Sequence, residues 1–208
     1  MRCWLIEVLL VFFGTQMYAQ GFGARVILGL NASQIAGDQL AGFDKVGLSG
    51  GLQGTVFLTE KFDLNVEFLY NEKGSRPDIF NGTLDPDIHI TLRYIELPVF
   101  VTVQDWLDEE AGYYKAFGQA GLSVGRLMSV STADRHNPDD MRLDDLVDHF
   151  NNTDVSWLVG FGFRLSQRWA ISFRYTRSLN LLLNAKKQEL NTFSLRPYFL
   201  SFRGEYIL

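Results

Sequence analysis

The chain is poor in cysteine, proline and basic tracts, and it has no long apolar run. Cys3 is the only cysteine among 208 residues. That excludes a disulfide framework, and it excludes metal centres built from several thiolates. Proline occurs five times, with Pro77, Pro86 and Pro138 in polar stretches that read as loops. The formal charge is −5 with no cluster of Lys and Arg, so nucleic acid is not an expected partner. Beyond the N-terminus no stretch approaches about 18 apolar residues, the least that a membrane-crossing helix needs. What is plentiful is aromatic and small: 17 Phe, 8 Tyr and 19 Gly.

The N-terminus has the grammar of an export signal. Arg2 gives a positive start, residues 8–13 are apolar, and Met17-Tyr18-Ala19-Gln20 offers a small-residue cleavage site after Ala19. Residues 1–19 are therefore read as a signal peptide, and 20–208 as one domain. Cleavage would remove Cys3 and leave a mature chain without thiols.

The rest of the chain alternates with a period of two. In residues 92–104, Ile95, Leu97, Val99, Val101 and Val103 share one face, while Tyr94, Glu96, Pro98, Phe100, Thr102 and Gln104 share the other. A purely aliphatic face on a strand of about 9–11 residues is a strand that meets lipid. The same pattern recurs at 21–31, 46–58, 62–71, 113–124, 155–165 and 169–177, and an eighth strand falls within 190–208. The connections after strands two, four and six are short. Those after strands one, three, five and seven are long.

Transmembrane barrels sort their loops this way, with short periplasmic turns and long external loops. A soluble β-sandwich does not, and it needs polar outer faces. Most aliphatic faces here also end in Tyr, Trp or Phe, as interfacial girdles do. The expected fold is all-β, an eight-stranded antiparallel up-and-down transmembrane β-barrel. Pro98 breaks the rule for a central strand, because it cannot donate to the ladder. A bulge, or a water-satisfied carbonyl, is expected beside it.

The inward faces collect Glu67, Glu96, Lys115, Arg164, Arg174, Arg203 and Glu205, with Arg25 and Arg93 near strand ends. A barrel of eight strands is just wide enough to be filled by side chains. These residues are expected to pair as a structural lumen network; a narrow conducting path or an internal ligand site is the alternative. The loop after strand five is acidic, and Asp139, Asp140, Asp144, Asp145 and Asp148 are its candidate interaction residues. Their spacing is not that of a calcium loop. Residues 143–150 are compatible with a short helix.

Catalytic motifs do not hold up. Gly121-Leu122-Ser123-Val124-Gly125 and Gly47-Leu48-Ser49-Gly50-Gly51 match G-x-S-x-G, but both lie in continuous strands and lack the elbow and helix that the motif requires. His89, His136 and His149 have no paired ligand spacing. No enzyme activity, cofactor or metal is expected. The Asn-x-Ser/Thr sites at Asn31, Asn81 and Asn151 have no role in a bacterial envelope protein.

Several of these pieces together resemble the outer-membrane β-barrel family of Bacteroidota that includes PorT-like and porin-family proteins. They are Gly29-Leu30-Asn31, Gly47 with Gly51-Leu52, Glu67-x-x-Tyr70-x-x-Lys73-Gly74, Tyr94-Ile95-Glu96-Leu97-Pro98, Gly118, Gly121 and Gly125, and Gly160 with Gly162. The resemblance spans the mature chain. It departs in strand eight, where Arg196-Pro197 interrupts the alternation and Leu208 stands where an aromatic residue is common. The resemblance implies an outer-membrane location and no catalysis; PorT-like members are associated with type IX secretion. The expected partners are outer membrane lipid and other envelope or secretion proteins, and the expected barrel is monomeric. The expected role is structural or interactive, through the outer loops, with a secretion component or a narrow pore as the alternative.

An outer-membrane extract should yield a mature protein that begins at Gln20, and its gel band should shift on boiling. Intact mass and electrophoresis with and without heating check this. A soluble protein with no heat shift would return the chain to the soluble β class.

Overall fold

The computed structural model describes residues 21–36, 43, 45–75, 89–133, 149–183 and 194–208. It contains eight strands: β1 (Phe22–Ala36), β2 (Lys45–Phe57), β3 (Phe62–Ser75), β4 (His89–Asp108), β5 (Tyr113–Ala133), β6 (Thr153–Arg164), β7 (Trp169–Ser178) and β8 (Arg196–Ile207). Each pairs antiparallel with the next, and β8 pairs with β1 from Arg25↔Ile207 to Ala36↔Arg196, so the sheet closes on itself. Closure removes the two edges that an open sheet would expose.

The three short turns share one device, a side-chain oxygen that accepts backbone N–H groups in place of a longer loop. Thr59 Oγ1 accepts from Lys61 N and Phe62 N at 3.3 and 3.0 Å. Asp108 Oδ1 accepts from Glu110 N and Ala111 N, both at 3.2 Å. Ser166 Oγ accepts from Arg168 N and Trp169 N at 3.3 and 3.2 Å. Gly112, with φ at 71°, supplies the left-handed step that completes the second turn.

The faces are inverted relative to a water-soluble protein. Phe22, Leu28, Leu52, Leu97, Leu122 and Phe161 point outward and are exposed, while Arg174, Arg203, Glu67, Glu96 and Glu205 point inward and are buried. Outward aromatics touch across strands: Phe173 packs on Phe202 at 4.9 Å, and Trp169 meets Tyr206 edge-on at 4.9 Å. Only an apolar surrounding makes such an exterior stable.

The alternation located all eight strands, but several run further than it suggested. β1 continues to Ala36, with Asn31, Ser33 and Ile35 still buried where the pattern blurred. β3 continues to Ser75 and β5 to Ala133, into stretches that read as loop. β4 runs from His89 to Asp108, so the turn after it is only four residues long. Polar composition hid these extensions, because a paired strand that leaves the apolar layer no longer needs an apolar face. Arg196-Pro197 opens β8 and does not interrupt it; Pro197 pairs with Ile35.

No bulge stands beside Pro98. The β3–β4 partners keep one register on either side of it, and the ladder skips only Glu67 and Phe68 opposite Pro98 and Leu97. A missing N–H is thus absorbed as a local gap in pairing. The register shift lies further along, between Arg93 and Tyr94 on the β5 side.

Glycine matters where strands crowd. A Cβ on Gly121 would lie 2.2 Å from Val99 O and 2.4 Å from Phe100 Cβ, whereas one on Gly118 would meet nothing within 4 Å. Gly121→Ala should therefore destabilise the barrel by about 1–3 kcal/mol, the usual cost of overpacking, while Gly118→Ala should be close to neutral. Urea unfolding in detergent measures both. Equal effects would mean that the contact at Gly121 does not constrain the sheet.

Candidate functional site

The inward rows stack polar side chains in three layers under an apolar cap. The layer nearest the short turns joins the carboxylate of Asp63 to amide and hydroxyl side chains. Gln104 Nε2 donates to Asp63 Oδ2 at 2.5 Å, and Asn65 joins Thr102, Gln53 and Thr55 at 2.8 Å each.

The middle layer centres on Glu67 of β3. Arg174 of β7 grips both its oxygens, at 2.7 and 3.1 Å. Arg203 of β8 reaches the same two oxygens, at 2.5 and 3.4 Å. These are fork-to-carboxylate contacts that span the lumen, the strongest kind of charge-assisted hydrogen bond. Arg174 also donates to Gln119 Oε1 at 2.7 Å, and its guanidinium lies 4.6 Å from the centre of the Phe100 ring. Beside this group, Glu205 receives Arg25 at 2.8 Å and the Ser172 hydroxyl at 2.6 Å.

The third layer, toward the long loops, centres on Lys73 of β3. Its ammonium lies 2.6 Å from Glu96 Oε1 and 2.8 Å from Asp154 Oδ2. The rings of Tyr94 and Phe199 flank it at 4.3 and 4.8 Å. Asn71 donates to Glu96 at 2.6 Å, Asn31 donates to Asn71 at 3.1 Å, and Ser201 donates to Asn31 at 2.7 Å. A cavity of about 10 Å³ lies between the second and third layers, lined by Asn71, Glu96, Ser123, Arg174 and Arg203 among others. That is roughly the room one water needs, and the lining has the polarity to hold one.

Above the third layer the lumen turns apolar. Ile35, Ile90, Leu92, Tyr94, Phe150, Leu182, Leu183 and Leu195 form one buried cluster. Leu182 N donates to Leu195 O at 2.8 Å, and Asn151 N donates to Leu182 O at 2.7 Å, which holds the chain segments after β5 and β7 inside the rim. Leu182 and Leu183 had read as loop residues, and their role as a cap follows only from the closed barrel.

Among the described residues, the buried cations are Arg25, Lys73, Arg174 and Arg203, and the buried carboxylates are Asp63, Glu67, Glu96, Asp154 and Glu205. The sequence had placed Glu67, Glu96, Arg174, Arg203 and Glu205 on inward faces, and the structure brings them together in the two charged layers. Lys115 does not join them. It sits half-exposed at the tip of the β4–β5 hairpin, 2.7 Å from Asp108. That hydrogen bond holds the Asp108 carboxyl below its usual value and the ammonium above it. Arg164 lies near the short-turn end, 5.6 Å from the Tyr113 ring.

Sequence reading missed Lys73 and Asp154. Both continue an inward row, after Asn71 and before Ser156, but both were assigned to polar loops. Of the acidic loop, Asp139, Asp140, Asp144, Asp145 and Asp148 lie outside the described residues, as does most of the short helix considered at 143–150. Asp154 is buried against Lys73 and is not part of an exposed acidic surface.

The model for the outer membrane protein beta-barrel domain matches residues 18–184. The chain belongs to that family. Its barrel stands in the outer membrane, with the short turns on the periplasmic side and the long loops outside. Among solved structures, Neisserial surface protein A is similar over 90% of this chain and 99% of its own, at 11% identity and a TM-score of 0.50. Ail of Yersinia pestis, solved with the heparin analogue sucrose octasulfate, matches over 89% and 99% at 13% identity and a TM-score of 0.43. OprG of Pseudomonas aeruginosa matches over 92% and 97% at 9% identity and a TM-score of 0.43. At these identities the likeness concerns the fold alone. No curated protein matches the chain.

Glu67→Leu should destabilise the barrel by about 3–5 kcal/mol, because it strands two buried guanidiniums. Adding Arg174→Met and Arg203→Met should recover part of the loss, because a fully apolar replacement leaves no orphaned charge. Urea unfolding of the single and triple variants checks this. A triple variant less stable than the single would refute the pairing argument.

Proposed function

We propose that this is a non-conducting, non-enzymatic outer-membrane barrel that acts through its external rim and loops. The observation that carries the reading is the double closure of the lumen. Glu67, Arg174 and Arg203 tie β3 to β7 and β8 across the interior, and the cluster around Leu183 and Leu195 caps the outer mouth. A pore needs a continuous wet path, and here apolar side chains cross it. The lumenal polar groups hold one another, which suits a structural network better than a ligand or substrate site.

In this reading residues 1–19 are a cleaved export signal and 20–208 form the mature barrel, a monomer. The external loops supply the working surface. The aspartates Asp139, Asp140, Asp144, Asp145 and Asp148 would present an acidic patch to a basic envelope partner. The Tyr94-Ile95-Glu96-Leu97-Pro98 motif supports the PorT-like resemblance, and secretion proteins are therefore the first candidates for that partner.

Reconstituted in planar bilayers with concentrated KCl, the protein should show no single-channel steps. Crosslinking in whole cells should capture an envelope protein, and replacing the five aspartates with asparagine should abolish that crosslink without changing the heat shift. Stable conductance would overturn the reading in favour of a narrow pore.

A further inference from the structure

On three strands an arginine enters the outward apolar row toward its external side; exposed Met128 and Leu179 follow Arg126 and Arg177. On β4 the row Val103, Val101, Val99, Leu97, Ile95 is followed by Arg93. On β5 the row Ala120, Leu122, Val124 is followed by Arg126. On β7 the row Ile171, Phe173, Tyr175 is followed by Arg177. The pairs Ile95↔Arg126 and Arg93↔Ser129 make Arg93 and Arg126 diagonal neighbours on the outer surface. Arg177 pairs across the strands with Trp157, whose ring meets Tyr175 edge-on at 5.4 Å. Arginines and aromatic rings therefore share the boundary between the lipid face and the loops.

These arginines differ from those of the lumen, and Arg93, which the sequence grouped with the inward charges, lies on the outward face of β4. Arg93 approaches Glu72 at 3.5 Å, but the other oxygen of that carboxylate is already held by Lys45 at 2.9 Å. Arg126 and Arg177 are exposed and make no ion pair or hydrogen bond with any described residue. Among the described residues, Glu72 pairs with Arg93 and Lys45, and no carboxylate pairs with Arg126 or Arg177. Directly below it lie the exposed Leu97, Val99, Leu122 and Val124.

We propose that this rim binds the phosphorylated headgroup of an outer-leaflet glycolipid, with Arg93 and Arg126 as a paired clamp and Arg177 as a third contact. Guanidinium suits the task, since its planar fork matches a phosphate with two parallel hydrogen bonds and it is weakly hydrated. The apolar row beneath accepts the acyl chains of the same molecule. That two-part surface selects a lipid over a free anion. The assignment rests on the outer-membrane location, which envelope fractionation tests separately.

The test is binding in neutral detergent, read by native mass spectrometry and by the temperature at which the gel shift occurs. The probes are monophosphorylated lipid A, the same lipid dephosphorylated, and inorganic phosphate. The phosphorylated lipid should bind and raise the transition temperature, and the other two should not. R93Q/R126Q/R177Q should weaken binding on the order of a hundredfold, from about fivefold per basic residue near an anionic surface, while its heat shift shows that it still folds. R93K/R126K/R177K should retain part of the binding. Equal binding of dephosphorylated lipid, or unchanged binding by the glutamine variant, would overturn the proposal. So would a wild type that fails to bind the phosphorylated lipid while a variant with the five loop aspartates replaced by asparagine binds it, since the acidic loop would then neutralise the rim.

Discussion

Every backbone N–H and C=O that crosses a bilayer must find its partner within the protein, since the hydrocarbon offers none. That single requirement sets the rest of this structure. It makes the sheet close between β1 and β8, since any open edge would leave a row of donors in oil. It explains why Pro98, which cannot donate, is tolerated only as a gap of two pairs in an otherwise unbroken register. It also turns the polarity inside out: the exterior is apolar because its solvent is, and polar side chains face the small space that closure encloses.

Closure creates a second problem inside. Eight strands leave a lumen just wide enough for side chains, and in this chain many of those are charged. Burying charges is costly unless each finds a partner with good geometry. The solution here is layered. Glu67 serves as the shared acceptor for two arginines from strands on the far side of the barrel, and Lys73 serves as the shared donor for two carboxylates. Aromatic faces of Phe100, Tyr94 and Phe199 line the cations where carboxylates do not reach. The apolar cap then shields the upper layer from water at the outer mouth.

The same residue type does opposite work on the two sides of the wall. Inside, arginine is pinned by carboxylates and locks the lumen. Outside, at the upper end of the lipid face, arginine is left available where phosphate groups of the membrane are found. In the proposed reading, an interior filled this way leaves the outer rim and loops as the working surface of the protein.

The sequence by itself determined the strand count, the facing of the lipid side and the sorting of short and long connections. These are local properties: a period of two, turn residues at fixed offsets, and a girdle of aromatics can all be read within ten residues. It also identified Glu67, Glu96, Arg174, Arg203 and Glu205 as inward, because facing follows from parity along a strand. What parity could not decide was partnership. Glu67 and Arg203 are 136 residues apart, and Lys73 and Asp154 are 81 apart. Which cation meets which carboxylate depends on the registers of all the intervening strand pairs, and a shift such as the one between Arg93 and Tyr94 moves every contact beyond it. Lys73, Asp154, Leu182 and Leu183 resembled loop because they are polar or follow a strand end. Only the closed barrel, by folding its rim inward, buried them.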